Sequence, residues 1–566
     1  MPKTDGLAAI RYQVMWNRLI AVVEEQAKTL VRTAFGASTR EAGDLSAGVY
    51  DTAGRMLAQA VTGTPGHVNS MARSVTYVLD KVSLAEMADG DVFILNDPWQ
   101  GTGHLNDIVV VTPVFRRGAP VGLFACTLHV VDIGGIGLST NGRQVFEEGL
   151  CLPVTKLVEA GRPNQWLFDL IAVNVREPVQ VLGDIHSEIA SNAVGGQRLV
   201  AMMDEFSLDS LDGLAAHILA HSRSASLAAI RALPFGTWRY HMRVDGLEAP
   251  IDLHAALTIG PEGIDVDFAG TSGPSGFGIN VPLCYTEAYT SFGVKCIVAP
   301  EVPNNTASLA TIRVTAPPDS ILNAQRPAPV AGRGTIGQML PDVVFGCLRQ
   351  AIPDRVPAEG TSCLWNIRLM GGPGRVAADP AVLARATAFN VTGFHSGGTG
   401  ARPRQDGLSA TAFPSGVRNV PVEVTESLAP VLIWRKEFRP DSGGAGTWRG
   451  GLGQIMEIES AEAAPFAIGT AFDRVVHPAR GAEGGAPGAT GSVRLRSGKV
   501  FPGKGQHTVP AGDRLIVEMP GGGGMGDPRR RDPALLARDV RHGFVSSEAA
   551  ARDYAATPVP KASAST

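Results

Sequence analysis

The stretch that most limits what this chain can fold into is residues 96–135. It opens Asn96-Asp97-Pro98-Trp99-Gln100-Gly101-Thr102-Gly103-His104-Leu105-Asn106-Asp107 and closes Leu128-His129-Val130-Val131-Asp132-Ile133-Gly134-Gly135. Between these ends lie two apolar runs, Ile108–Phe115 and Val121–Val131, rich in β-branched and aromatic residues, which read as strands. Arg116-Arg117-Gly118-Ala119-Pro120 between them reads as a hairpin loop. With Phe115 opposite about Val121, the register puts Asp107 opposite His129 and brings His104 close to Asp132. Opposed Cβ atoms in an antiparallel pair lie only ~4.5–5.5 Å apart, so groups distant in sequence can share an ion.

Imidazole with carboxylate is a donor set for Zn²⁺, Mn²⁺ or Fe²⁺ rather than for Ca²⁺ or Mg²⁺, which prefer oxygen alone. Three protein ligands and an open position would mark a catalytic ion that activates water or polarises a carbonyl. The competing reading is that each His and Asp satisfies turn backbone, since His-x-x-Asp alone is a weak pattern. Two such groups across one hairpin favour the ion. No general base is legible.

At 566 residues the chain exceeds one ordinary core. A net charge of −4 leaves no electrostatic footprint for nucleic acid. No run reaches the length of a membrane span, and the start, Met-Pro-Lys-Thr-Asp-Gly, carries no apolar leader. The six cysteines form no Cys-x-x-Cys pair and read as reduced, buried thiols, so a cytoplasmic location is expected.

Residues 12–33 repeat apolar side chains at three- and four-residue steps and read as a core-packed helix. Residues 43–51 and 54–58 read as two short strands, with Asp44 as a turn aspartate at the mouth of the first and His67 in a later loop, lining a site being the competing reading for His67. Helices are expected through Met202–Met203 and over 211–233, where Pro234 ends the pattern. Alternation then takes over across 236–268, before helices near 284–298 and 335–351. Gly397–Gly407 and Pro421–Glu426 read as loops. The run Arg439-Pro440-Asp441-Ser442-Gly443-Gly444-Ala445-Gly446 lacks Gly-Lys-[Ser/Thr], so it reads as a β-rich turn scaffold rather than a phosphate loop. The expected fold class is mixed α/β (α+β) and multi-domain: 1–234 an α/β metal-site domain, 235–380 central and β-rich with helices, 381–530 Gly-rich β, and 531–566 a helix and a disordered tail.

Several of these stretches together resemble the hydantoinase B/oxoprolinase family. Asn96-Asp97-Pro98-Trp99…His104-Leu105-Asn106-Asp107 resembles its Asn-Asp-Pro-[aromatic]…His-Leu-Pro-Asp signature, and His129…Asp132-Ile133-Gly134-Gly135 its His-His-x-Asp-Ile-Gly-Gly. Glu148-Gly149-Leu150, Gly183-Asp184-Ile185…Asn192, the 439–453 glycines and Pro520–Pro528 also match. The resemblance implies a divalent ion (Zn, Mn or Fe) held by His104, Asp107, His129 and Asp44. Val130 stands where the family usually has its second His, and Asn106 where it has Pro. Asp97 and Asp132 are candidates to support the ligands, and Arg176, Asp184 and Glu188 to face the substrate; helix-start caps or charge pairs are the competing explanation for the last three.

What the resemblance implies for function is a B-type subunit in a hetero-oligomer with a hydantoinase A-type subunit that handles ATP. Together they would hydrolyse a cyclic amide such as a hydantoin, oxoproline or lactam. One alternative is a subunit of a ketone carboxylase of the acetone or acetophenone type. Another is a non-catalytic scaffold with a structural ion.

Overall fold

The computed structural model describes residues 3–62 and 64–555. The tail expected after 556 lies outside the described residues. The chain divides into two compact units. The first holds the chain up to Arg239 with His254–Pro341 and Pro414–Val420; the second holds Tyr240–Leu253, Asp342–Phe413 and the chain from Pro421.

The first unit is built on a seven-stranded sheet of β1 (Leu45–Tyr50), β2 (Met56–Gln59), β3 (Val92–Leu95), β4 (Asp107–Arg116), β5 (Ala119–His129), β6 (Thr155–Glu159) and β7 (Arg162–Pro163). Its order is β2-β1-β5-β4-β3-β6-β7, and every neighbouring pair is antiparallel. Helices α1 (Lys3–Thr33), α2 (Pro65–Lys81), α3 (Gln165–Asn174), α4 (Pro178–Glu205) and α5 (Asp212–Arg231) accompany it. The sequence places the first helix over 12–33; it continues nine residues further toward the N-terminus.

Alternation along the strands feeds two cores. Ile108, Val110, Phe124, Cys126 and Leu128 pack with Leu19 and Val23 of α1 and Ile185 and Met202 of α4. Val109, Val111, Leu123 and Ala125 pack on the other face with Met71, Val75 and Val78 of α2. A sheet covered on both faces has no polar side, which is why its central strands read as unbroken apolar runs. Each such side chain contributes roughly 1.5–3 kcal/mol on full burial, before the entropy of ordering it. Buried amides tie the layers: Gln26 Nε2 donates to Asn192 Oδ1 (2.7 Å) and to the Ala125 carbonyl (3.1 Å), and Asn192 Nδ2 donates to the Val110 carbonyl (3.0 Å).

Later in this unit the strand within Ile251–Gly260 turns back antiparallel on Gly263–Asp267, which pairs in parallel with Ile312–Thr315. Helix α6 (Leu283–Val298) follows the expected span to within a residue. The helix expected near 335–351 is broken into a single turn, Gly334–Gly337, in this unit and Leu340–Ala351, which from Asp342 belongs to the second.

The second unit carries a four-stranded and a five-stranded antiparallel sheet. Residues Val422–Leu428, expected as loop, form a short helix. The glycine runs pack backbone against backbone: Gly398 N donates to Pro520 O (3.2 Å), Gly451 N to Thr399 O (2.8 Å), Gly522 N to Gly451 O (3.0 Å) and Gly444 N to Gly522 O (2.9 Å). A Cβ on Gly398 would stand 1.8 Å from the Gly451 carbonyl oxygen. The missing side chains are therefore what allows these segments to approach, and the N–H groups of Gly398, Gly444, Gly451 and Gly522 are bonded to neighbouring backbone rather than free to cradle phosphate.

Candidate metal centre

Asp107 begins β4, His129 ends β5, and the register sets them directly opposite each other. The pairing expected from the hairpin holds from Asp107 to Val114; a bulge then moves Phe115 opposite Pro120 instead of Val121. One step beyond the Leu45–Leu128 pair, Asp44 flanks His129 from the other side. Alternation gives Asp107 the face of Val109 and Val111, and His129 the face of Leu123 and Ala125, so both point toward α2. The first turn of α2 meets them with His67, which is only 2% exposed. The sequence reading puts His67 in a loop. Pro65 at the start of the helix was the available signal, since proline suits that position.

His104, Asp107 and His129 offer three ligand atoms that all lie within 4.8 Å of one another. Asp107 Oδ1 is 2.7 Å from His104 Nε2 and 3.0 Å from His129 Nδ1. Its other oxygen, Oδ2, is 2.8 Å from His67 Nε2 and 2.6 Å from the Arg333 guanidinium. Asp44 Oδ1 accepts from the Thr64 hydroxyl (2.6 Å) and lies 3.6 Å from His67 Nδ1. Asp44 is thus adjacent to the three-residue group, linked through His67.

The donor set fits a divalent ion. His104 Nδ1 faces the Ala331 carbonyl at 3.2 Å, and a carbonyl only accepts, so Nδ1 carries the hydrogen. Burial, reinforced by the positive charge of Arg333, pushes His104 down to about 3 and keeps it neutral. Its Nε2 is then a bare lone pair, buried, without an aligned hydrogen-bond partner, and 2.7 Å from a carboxylate oxygen. Two lone pairs at that separation repel unless a proton or a metal ion lies against both. Burial opposes ionisation of Asp107, yet the charges of His67 and Arg333 hold its carboxyl well below the usual range. For His67, burial opposes charge but the Asp107 and Asp44 carboxylates outweigh it and raise its pKa.

Arg333 and Glu148 are parts of the site that the sequence reading missed. Arg333 Nε donates to the Thr102 carbonyl (2.6 Å), and its guanidinium stacks over the Tyr285 ring at 4.3 Å. Gly103 makes room for it: at φ +93, a Cβ there would stand 2.7 Å from Arg333 Cδ. Glu148 Oε1 accepts from the backbone N–H groups of Val330 and Ala331, each at 2.8 Å. It thereby fixes the segment whose carbonyl orients His104 and whose arginine reaches Asp107. Burial pushes Glu148 up to about 7.

Of the remaining candidates, Asp97, Asp132, Arg176 and Asp184 have partners elsewhere, whereas both carboxylate oxygens of Glu188 are buried without a hydrogen-bond partner. Asp97 accepts from Trp99 N (3.0 Å) and pairs with Arg326 (2.9 Å), which lies over the Trp99 ring. Asp132 does not stand beside His104 as the hairpin register suggests. It pairs with Arg176 (2.6 Å), whose guanidinium also donates to the Gly135 carbonyl, so the two residues fix the 132–135 turn. Asp184 Oδ1 accepts from Phe35 N (2.8 Å) and Gly36 N (3.0 Å), closing the turn after α1. Glu188, on the same helix face, is fully buried; burial first, then the Asp184 and Asp107 charges, hold its carboxyl well above the ordinary range.

Comparison with known proteins places these residues in context. The family model described as Hydantoinase B/oxoprolinase matches residues 8–528. The uncharacterized protein MJ0963 of Methanocaldococcus jannaschii is 32% identical, covering 96% of this chain and 95% of its own length. The caprolactamase subunit beta of Pseudomonas jessenii is 28% identical over 96% of this chain and 95% of its own. The crystal structure of the ATP-dependent caprolactamase from the same organism superposes with a TM-score of 0.85 at 25% identity, covering 96% of each chain.

Proposed function

The chain belongs to the hydantoinase B/oxoprolinase family, and from that premise we propose that it is the B-type subunit of an ATP-dependent hydrolase opening a cyclic amide, such as a hydantoin, oxoproline or lactam. The hydrolytic centre in this reading is a divalent ion, Zn²⁺, Mn²⁺ or Fe²⁺, held by His104, Asp107 and His129 with Asp44 beside them. The observation that carries it is the bare, buried His104 Nε2 standing 2.7 Å from Asp107 Oδ1. The substrate class is supported by the caprolactamase relative, since caprolactam is a cyclic amide.

A bound ion would lower the pKa of a water or polarise the ring carbonyl. The chain's residues supply the rest. His104 and His129 would offer ring nitrogens and Asp107 its Oδ1, and Arg333 would offset the carboxylate charge so that the centre stays electron-poor. The 97% to 100% burial of His104 and Asp107 lowers the local dielectric, which strengthens each of these interactions. ATP is assigned to an A-type partner that phosphorylates the amide oxygen, because the 439–446 glycine run of this chain lacks Gly-Lys-[Ser/Thr] and packs its backbone against neighbouring backbone. The assembly is then a hetero-oligomer, and we place it in the cytoplasm; among the described residues no helix is long and apolar enough to cross a membrane.

The test is a coupled assay of the chain with its A-type partner and ATP against hydantoins, 5-oxoproline and lactams, with ketone plus bicarbonate as a separate arm. The expected result is amide-dependent ATP hydrolysis with ring opening, lost in His104→Ala. Turnover only with ketone and bicarbonate would replace this reading with a carboxylase. Full activity of His104→Ala would reduce the chain to a scaffold.

A further inference from the structure

Asp107 has two oxygens with different company. Oδ1 faces His104 Nε2 and His129 Nδ1, the two imidazole atoms of the ligand group. Oδ2 faces His67 Nε2 at 2.8 Å and the Arg333 guanidinium at 2.6 Å. An ionised carboxylate only accepts, so His67 must present Nε2–H to it. With two strong donors on Oδ2, its lone pairs are occupied, and the carboxylate is pinned in rotation by groups that are themselves fixed. Arg333 is held by the Thr102 carbonyl and the Tyr285 ring. His67 is held in the first turn of α2 with its far edge toward Asp44.

Resting on the metal reading above, we propose that Asp107 is a one-oxygen ligand, and that His67 and Arg333 are the positioning residues that keep it so. A carboxylate free to rotate could chelate an ion through both oxygens and occupy an additional coordination position. Held at Oδ2, it offers Oδ1 alone, and with two imidazoles this leaves a position for the water or carbonyl oxygen that the chemistry needs. Arg333 also withdraws charge from the carboxylate, which weakens its donation to the ion and keeps the centre a stronger Lewis acid. Both residues act through Asp107 rather than on the substrate.

Cobalt(II) titration of the purified full chain, stripped with a chelator, tests this without reference to turnover. Two amide replacements separate position from polarity. His67→Gln keeps an N–H donor where Nε2 stood, whereas His67→Asn is also polar but too short to reach Oδ2. The wild type and His67→Gln are expected to bind cobalt alike, with the intense visible absorption of a low-coordinate ion. His67→Asn is expected to bind 10–100-fold more weakly, the scale for removing a group that orients a metal ligand, whereas Arg333→Met, which also removes a positive charge and frees the second oxygen, is expected to bind no more weakly than the wild type. The absorption of both variants should be weaker, because chelation by both oxygens raises the coordination number. Unchanged affinity and spectrum in His67→Asn with an unchanged spectrum in Arg333→Met, beside a cobalt-binding wild type, would overturn the positioning role alone. A wild type that takes up no cobalt would overturn the metal reading and this inference with it.

Discussion

His129 and Asp107 are register partners across the β4–β5 ladder, with imidazole Nδ1 3.0 Å from carboxylate Oδ1 on the sheet face covered by α2. The pairing makes the site a property of the sheet. Any change that slipped the strands by one residue would send both side chains to opposite faces. The positions of the neighbouring carboxylates follow from the same sheet, and they can be separated by substitution.

Asp132 and Arg176 are predicted to matter for stability and not for the ion. Asp132→Ala removes the acceptor of the Arg176 backbone N–H and of one guanidinium nitrogen, while the other keeps the Gly135 carbonyl. It should lower unfolding free energy by about 1–3 kcal/mol while metal content stays at the wild-type level. Urea denaturation beside metal analysis checks both halves, and loss of metal would make Asp132 a ligand after all.

Glu148 gives a pH dependence whose sign is fixed by its burial. Its carboxyl titrates at about 7 in the folded chain against an ordinary 4.5. A raised carboxyl pKa means that the folded state holds the proton more tightly. Its contribution is therefore fully present below the unfolded value and is lost as pH rises through the folded one. Across that window the wild type should lose stability relative to Glu148→Gln by on the order of 1 kcal/mol per pH unit. Thermal melts of both proteins at several pH values measure the difference, and parallel curves would contradict the assignment.

The glycine bundle predicts a contrast between two alanine substitutions. Gly398→Ala would drive a methyl to 1.8 Å from the Gly451 oxygen, and should cost ~3 kcal/mol or more or prevent folding. Gly498 has φ +102 with open space around it. Gly498→Ala should cost about 1–2 kcal/mol, from backbone strain alone. Similar midpoints for the two variants in denaturant would argue against close packing as the reason for the glycines.

Strand alternation and the position of the hairpin loop carried the β4–β5 register, and with it the meeting of Asp107 and His129. The loop end could not be read, because the bulge at Val114–Phe115 has no local signature in a run of apolar residues. Arg333 was not legible, and His67 was legible only as a loop residue that could line a site, for a different reason. Each reaches Asp107 from a separate segment, one from the start of α2 and one from a proline-rich turn, and no spacing rule links those segments to the hairpin. Glu148 acts through two backbone N–H groups of residues 330 and 331, a contact that leaves no mark on side-chain pattern. The Gly-rich runs were readable as structural but not as a backbone-packed bundle, since glycine's freedom serves turns and close approach equally.

The central claim is that the paired strand ends hold an ion. Metal analysis of purified wild type beside His129→Ala tests it most directly, with circular dichroism to establish that both are folded. The account predicts about one divalent ion per wild-type chain and less than about a tenth of that in the variant, since a three-residue site loses a ligand outright. Equal metal content in two folded proteins would contradict it.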